Sequence, residues 1–143
     1  MLCTYPVVFR ADGNGTMIAL VPDVAGTMTV GQDRDEALAR VHGALVLMLA
    51  ARIESGQPIP RPSKPARGQR TVILSPIVTA KLSLYQAIRS RKITPAELGR
   101  QLGWDARRVR GVLNLGRHTK LDDIEAALEA LGKRLVIDVQ NAA

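Results

Sequence analysis

Arg107, Arg108 and Arg110 crowd one short stretch behind Asp105 and Ala106, and Arg100, Arg117 and Lys120 flank it. An arginine guanidinium can donate two bonds to guanine O6 and N7, and an aspartate can accept one from cytosine N4. This set therefore suits reading of a G·C-containing duplex, although three such arginines also suit a purely solvated helix face. Other reactive side chains are sparse. His42 and His118 stand without a spaced Cys, His or carboxylate partner for zinc, the single Cys3 cannot form an internal disulfide, and no G-x-x-x-x-G-K-[ST] phosphate loop is present. No catalytic group, metal or cofactor is expected.

Caps and glycines spell the elements that must hold the arginines. Thr94 suits an N-cap, Pro95 suits the first helical position, whose N–H would be unpaired in any case, and Glu97 completes a T-x-x-E capping box. That helix runs through Leu98 and Leu102 until Gly103, which can take the left-handed conformation that ends it. Asp105 caps the next helix, with Val109, Val112 and Leu113 facing inward and the arginines outward; Trp104 is expected to pack inside. Thr119, with Asp122 three residues on, is expected to cap a third helix. Leu121, Ile124, Leu128 and Leu131 form its buried stripe, and Gly132 stops it.

The stretch A-E-L-G-R-Q-L-G-W-D-A-R-R-V-R-G-V-L-N resembles the Cro/repressor class of helix-turn-helix domains, whose second helix lies in the major groove. Carried over position by position, the resemblance implies that Asp105, Ala106, Arg107 and Arg110 face the bases. It makes Arg100, Arg108, Arg117 and Lys120 the phosphate contacts.

Charge divides the chain in the same place. Residues 1–60 hold four Lys/Arg against six Asp/Glu, residues 61–143 hold sixteen against seven, and the whole 143-residue chain carries +7, which points to a polyanionic partner for the second half. Residues 56–70 contain four of the eight prolines and read as a semi-rigid connector. Upstream, residues 5–10, 17–21 and 27–30 read as strands, the first two joined by an Asp12–Gly15 turn. Asp33 with Glu36 caps a helix reaching Glu54. Leu38, Val41, Leu45, Leu49 and Ile53 would face the sheet, and Val46, Leu47, Ala50 and Ala51 would leave an apolar back that suits an interface. Residues 71–74 could add a fourth strand, and Ser75 with Pro76 would start another helix. The longest apolar run, 43–51, is too short to span a bilayer, and the first residues lack a signal-peptide layout, so no membrane association and a cytoplasmic location are expected.

The whole chain resembles the HicB-type antitoxins, in the subgroup with a C-terminal helix-turn-helix. The resemblance rests on Y-P-V-V-F, A-L-V-P-D-V-A-G, T-V-G-Q-D-R-D-E-A-L, I-P-R-P-S and N-L-G-R-H-T-K-L-D-D-I. It implies an α+β chain of two domains. Residues 1–75 would form a partial ribonuclease-H-like β-β-β-α-β domain that masks a small HicA-type toxin, a messenger-RNA-cleaving ribonuclease. Residues 76–143 would form an all-α DNA-binding and dimerisation domain with a short terminal strand, repressing the operon that encodes both proteins. Toxin contact is expected at Pro22, Asp23, Val24, Ala25 and Gly26, a pattern that also suits an ordinary turn. The alternative function is a stand-alone transcriptional regulator whose N-terminal half senses a small ligand.

A ribonuclease-H-like half raises the question of two-metal hydrolysis, which needs carboxylates converging on ions about 4 Å apart. Asp12, Asp23, Asp33, Asp35 and Glu36 are the candidates, and the turn and cap positions give them structural work instead. Leu135, Ile137 and Val139 alternate in residues 134–139 and read as a strand. It would join its own domain or pair with its copy in a second subunit, so a homodimer or higher oligomer on palindromic operator DNA is expected.

Overall fold

Runs rich in Val, Tyr, Ile and Met build four early strands in the computed structural model, which describes residues 3–142: β1 (Thr4–Pro6), β2 (Val8–Ala11), β3 (Met17–Leu20) and β4 (Met28–Gly31). The single strand expected over 5–10 is split at Val7. Its first half pairs antiparallel with β5 (Thr71–Ile73), Tyr5 opposite Val72, and its second half pairs with β3, Phe9 opposite Ala19. A strand serving two neighbours must change partners somewhere. Val7 does so by donating its N–H to Arg70 O at 2.9 Å and accepting from Gln69 Nε2 at 3.3 Å. β3 then pairs antiparallel with β4, so the order across this sheet is β2-β3-β4.

The turn before β3 closes as expected, with Asp12 accepting from Gly13 N and Thr16 Oγ1, and Gly15 at φ +86°. Asp33 caps α1 (Arg34–Glu54) by accepting from Glu36 N at 2.8 Å. Ala37, Val41, Leu45 and Leu49 form the buried face of α1, in one core with Tyr5, Val7, Ala19, Val21 and Val72. Leu38 and Ile53 are only partly buried. Each fully buried leucine contributes about 1.5–3 kcal/mol, so this face carries much of the N-terminal half. At the start of α1 the helix comes so close to β4 that a Cβ built on Gly31 would sit 2.8 Å from Ala37 Cα and closer still to Ala37 N.

The proline-rich connector is strapped down along its length. Tyr5 Oη donates to Pro60 O at 2.8 Å, Tyr85 Oη to Gln57 O at 2.7 Å, Arg52 to Pro58 O at 3.2 Å and Arg89 to Gly56 O, while Ile59 is buried. Burial, with the Asp23 charge second, pushes the Tyr5 phenol up to about 12. Only Leu74 separates β5 from Ser75, whose Oγ accepts from Val78 N to cap α2 (Pro76–Arg91), so the chain passes from sheet to helical half almost without a link.

The helical half follows the expected punctuation: α3 (Pro95–Leu102) capped by Thr94, Gly103 at φ +71°, then α4 (Ala106–Leu113) capped by Asp105, and α5 (Leu121–Ala130). Two expectations need correction. Thr119 does not cap α5; Lys120 occupies the N-cap without a side-chain bond, because the Thr119 hydroxyl is turned inward to Lys81. Residues 134–139 form no strand. Leu135 is partly buried, whereas Val136, Ile137 and Val139 are 76%, 65% and 90% exposed, and the segment pairs with no strand of either sheet. The first of their two expected fates, joining their own domain as a strand, is thereby removed.

Candidate nucleic-acid and partner-binding surfaces

The turn between α3 and α4 is three residues, Gly103, Trp104 and Asp105, and it is tight because Gly99 lacks a side chain. Trp104 N donates to Gly99 O at 2.8 Å, and a Cβ on Gly99 would fall 2.7 Å from Trp104 O. Leu98, Val109, Val112 and Leu113 are buried beneath the turn, and Trp104 is partly buried against the same core. This packing presents α4 outward. Ala106, Arg107, Arg108 and Arg110 are all exposed, and Asp105 Oδ1 is occupied in capping Arg108 N at 2.7 Å.

Around α4 lies a concave depression of about 600 Å³ lined by Asp105, Arg107, Arg108, Arg117 and Lys120, with Asp123 on its α5 side. Five of the eight expected nucleic-acid residues are thus brought together. Within it, Arg108 is already engaged: its guanidinium stacks 4.2 Å from the Trp104 ring centroid and pairs with Asp123 at 3.2 Å, tying α4 to α5. Arg117 lies across Gly111, where an added Cβ would meet its Nη1 at 3.1 Å. Arg110 borders a second cavity of about 590 Å³, between Ala50 and Ile53 of α1 and Tyr85, Ile88 and Leu113. Arg100 is exposed on α3, outside both.

The loop between β3 and β4 divides more sharply than its sequence suggests. Pro22, Ala25 and Gly26 are exposed, Asp23 Oδ2 accepts from both Ser63 N and Ser63 Oγ at 2.7 and 3.0 Å, and Val24 is wholly buried. Val24 therefore belongs to the core and anchors the loop from beneath. Beside it, the sheet face away from α1 carries two cross-strand rows, Val8–Leu20–Met28 and Arg10–Ile18–Val30. Met28 is 53% and Val30 39% exposed. The expected apolar back of α1 is partly covered: Leu47 is 71% exposed, whereas Val46 and Ala50 are half-buried.

The carboxylates weighed for metal chemistry are each placed locally. Asp12 closes a turn, Asp23 holds Ser63, Asp33 caps α1, Glu36 pairs with Arg40 and Asp35 with Arg70. Among the described residues no three His, Cys, Asp or Glu side chains come together as a metal site would require, and no helix is long and apolar enough to cross a membrane.

Three structural residues escape a reading of motifs. Gly31 and Gly99 matter through close backbone approaches, to Ala37 and to Trp104 O, and Lys81 is 0% exposed inside the helical half. A signal for Lys81 was present: it falls three residues after Val78 and four before Tyr85, on the apolar stripe of α2.

The family model for HicB-like antitoxins of bacterial toxin-antitoxin systems matches residues 4–83. The chain is 35% identical over 131 residues to Antitoxin HicB 2 of Photorhabdus laumondii subsp. laumondii, covering 92% of each chain. It is 32% identical over 133 residues to Antitoxin HicB of Escherichia coli strain K12, covering 92% of this chain and 95% of that one. These alignments extend the likeness into the helical half.

Proposed function

The chain belongs to the HicB-like antitoxin family of bacterial toxin–antitoxin systems, and from that premise we propose a division of labour between its halves. The N-terminal half masks a small HicA-type toxin that cleaves messenger RNA. The helical half represses the operon encoding both by binding palindromic duplex DNA. The protein itself catalyses nothing, takes no cofactor and acts in the cytoplasm.

The DNA half of this reading is carried by the cationic depression around α4, where Arg107, Arg117 and Lys120 surround an outward helix that Asp105 caps. Asp105, Ala106, Arg107 and Arg110 face bases, and Arg100, Arg108, Arg117 and Lys120 face phosphates. Arg108 shares its charge with Asp123. The residue 134–139 tail pairs with its copy in a second subunit through Leu135, Ile137 and Val139. A two-fold dimer then sets two recognition helices one DNA turn, about 34 Å, apart. Deletion of residues 135–143 is expected to shift sedimentation of the protein from dimer to monomer; an unchanged dimer would remove the tail from the interface.

Toxin masking is steric. It is supported by the exposed Pro22, Ala25 and Gly26 beside the open apolar face of β3 and β4. The test is co-purification of the full chain with the product of the adjacent small gene, followed by messenger-RNA cleavage assays. The wild-type protein is expected to form a tight complex and silence cleavage. Ala25→Arg, which adds a bulky charge on an exposed loop, is expected to weaken the complex about tenfold or more without changing the melting temperature. Unchanged affinity in that variant would take the loop out of the interface. No complex with the wild-type protein would remove the toxin reading and leave a DNA-binding regulator.

A further inference from the structure

Lys81 stands on the buried stripe of α2 between Val78 and Tyr85 and is 0% exposed. Its ammonium donates to Asn114 O at 2.6 Å, Arg117 O at 2.7 Å and Thr119 Oγ1 at 2.7 Å. A lysine has three donors, and all three are used. No carboxylate is paired with it among the described residues. Burial, with the nearby Arg117 charge second, holds its pKa below the ordinary lysine range. A buried charge without a counter-ion is costly, and an apolar residue of similar volume usually serves a core as well or better. Core filling therefore does not account for a lysine here.

Its three acceptors point to another role. All lie in the 114–119 segment that leaves α4 and enters α5, the segment that carries Arg117 and delivers Lys120. One acceptor is the carbonyl of Arg117 itself, whose guanidinium rests against Gly111 of α4. Local bonds complete the shape: Arg117 N donates to Asn114 O at 3.2 Å and Gly116 N to Asn114 Oδ1 at 3.0 Å. The ammonium closes the segment from below, and repulsion between the two cations favours an Arg117 side chain directed away from the core.

We propose that Lys81 is a positioning residue for DNA binding, locking the 114–119 segment so that Arg117 and Lys120 are set against phosphates before the duplex arrives. This rests on the DNA-binding reading above. Preorganisation of this kind removes an ordering cost from the binding step.

The test uses full-length Lys81→Met, which keeps the aliphatic stem and removes the three donors. It is titrated at several salt concentrations with a duplex spanning the region upstream of its own gene and with a random duplex of equal length. The variant is expected to bind both duplexes about tenfold more weakly, with the slope of log K against log salt shallower by about 1–2, the equivalent of one or two lost phosphate contacts. A folded Lys81→Met with native affinity and slope would overturn the inference. Should Lys81→Met fail to fold, Thr119→Val decides, since it removes one acceptor and keeps the side chain's shape. A shallower slope at near-native melting temperature upholds the role; a lower melting temperature with an unchanged slope overturns it and leaves a purely structural lysine. Failure of the wild-type protein to bind either duplex overturns the DNA-binding reading itself, an outcome separable from the others.

Discussion

The full-length chain carrying both Arg107→Ala and Arg110→Ala is expected to lose roughly a thousandfold of its affinity for operator DNA, each single substitution costing about 1–3 kcal/mol. The two losses need not add, because the residues are one helical turn apart on α4. Arg107 opens into the depression that also holds Arg117 and Lys120, whereas Arg110 borders the cavity reaching α1. On random DNA the same variants should lose far less, since a base contact carries the sequence preference and a phosphate contact does not. Arg117→Ala supplies the contrast, weakening all sequences alike and flattening the salt slope by about 1. Fluorescence anisotropy on operator and random duplexes over a range of salt reads all three. Equal losses on both duplexes for Arg107 and Arg110 would reassign them to the phosphate backbone.

Gly31→Ala is expected to destabilise the N-terminal half by about 3 kcal/mol, lowering its melting temperature by roughly 10 °C or more. The added Cβ would lie 2.8 Å from Ala37 Cα and 2.9 Å from Glu36 C, and both are backbone atoms of the first turn of α1. A flexible side chain could swing aside; a helix backbone pinned by the Asp33 cap and the buried Ala37, Val41 and Leu45 cannot. The helix must lift from β4, and the loss spreads along the core face. Gly43→Ala is the matched control, because nothing lies within 4 Å of its added Cβ. In the middle of α1 it should stabilise by about 0.5–1 kcal/mol through helix propensity alone. Thermal melting followed by circular dichroism distinguishes them, and a Gly31→Ala protein that melts with the wild type would show that α1 has room to spare.

What was legible in the chain was what its local spacing decides. Asp33, Ser75, Thr94 and Asp105 all cap the helices expected of them, since a cap needs only a side-chain oxygen and an N–H three residues on. Thr119 has the same spacing and fails, because Lys81, 38 residues away, competes for its hydroxyl. Val24 looked like part of an exposed turn and lies in the core, a fact decided by the path of the loop over the sheet and the bond from Ser63 to Asp23. The alternation of residues 134–139 fits a strand template, yet a strand is made by its neighbour, and this segment lies against neither sheet as a paired strand. Of the expected nucleic-acid cluster, the outward face of α4 was legible; the division of Arg107, Arg108 and Arg110 among different surroundings was not.

The β1–β5 ladder also bears on what a protease would accomplish. Lys64 and Arg67 are exposed in the connector, so a nick there is the easiest cut to picture, and it falls before β5. The fragment bearing α2 to α5 would still own the strand paired with β1, with Val72 and Leu74 buried, Arg70 O accepting from Val7 N, and Tyr85 and Arg89 bonded to Gln57 O and Gly56 O just beyond α1. Severing the backbone at that point would not part the halves. The two pieces are interlaced, each completing the other's fold, and their separation requires unravelling the sheet rather than cutting a tether.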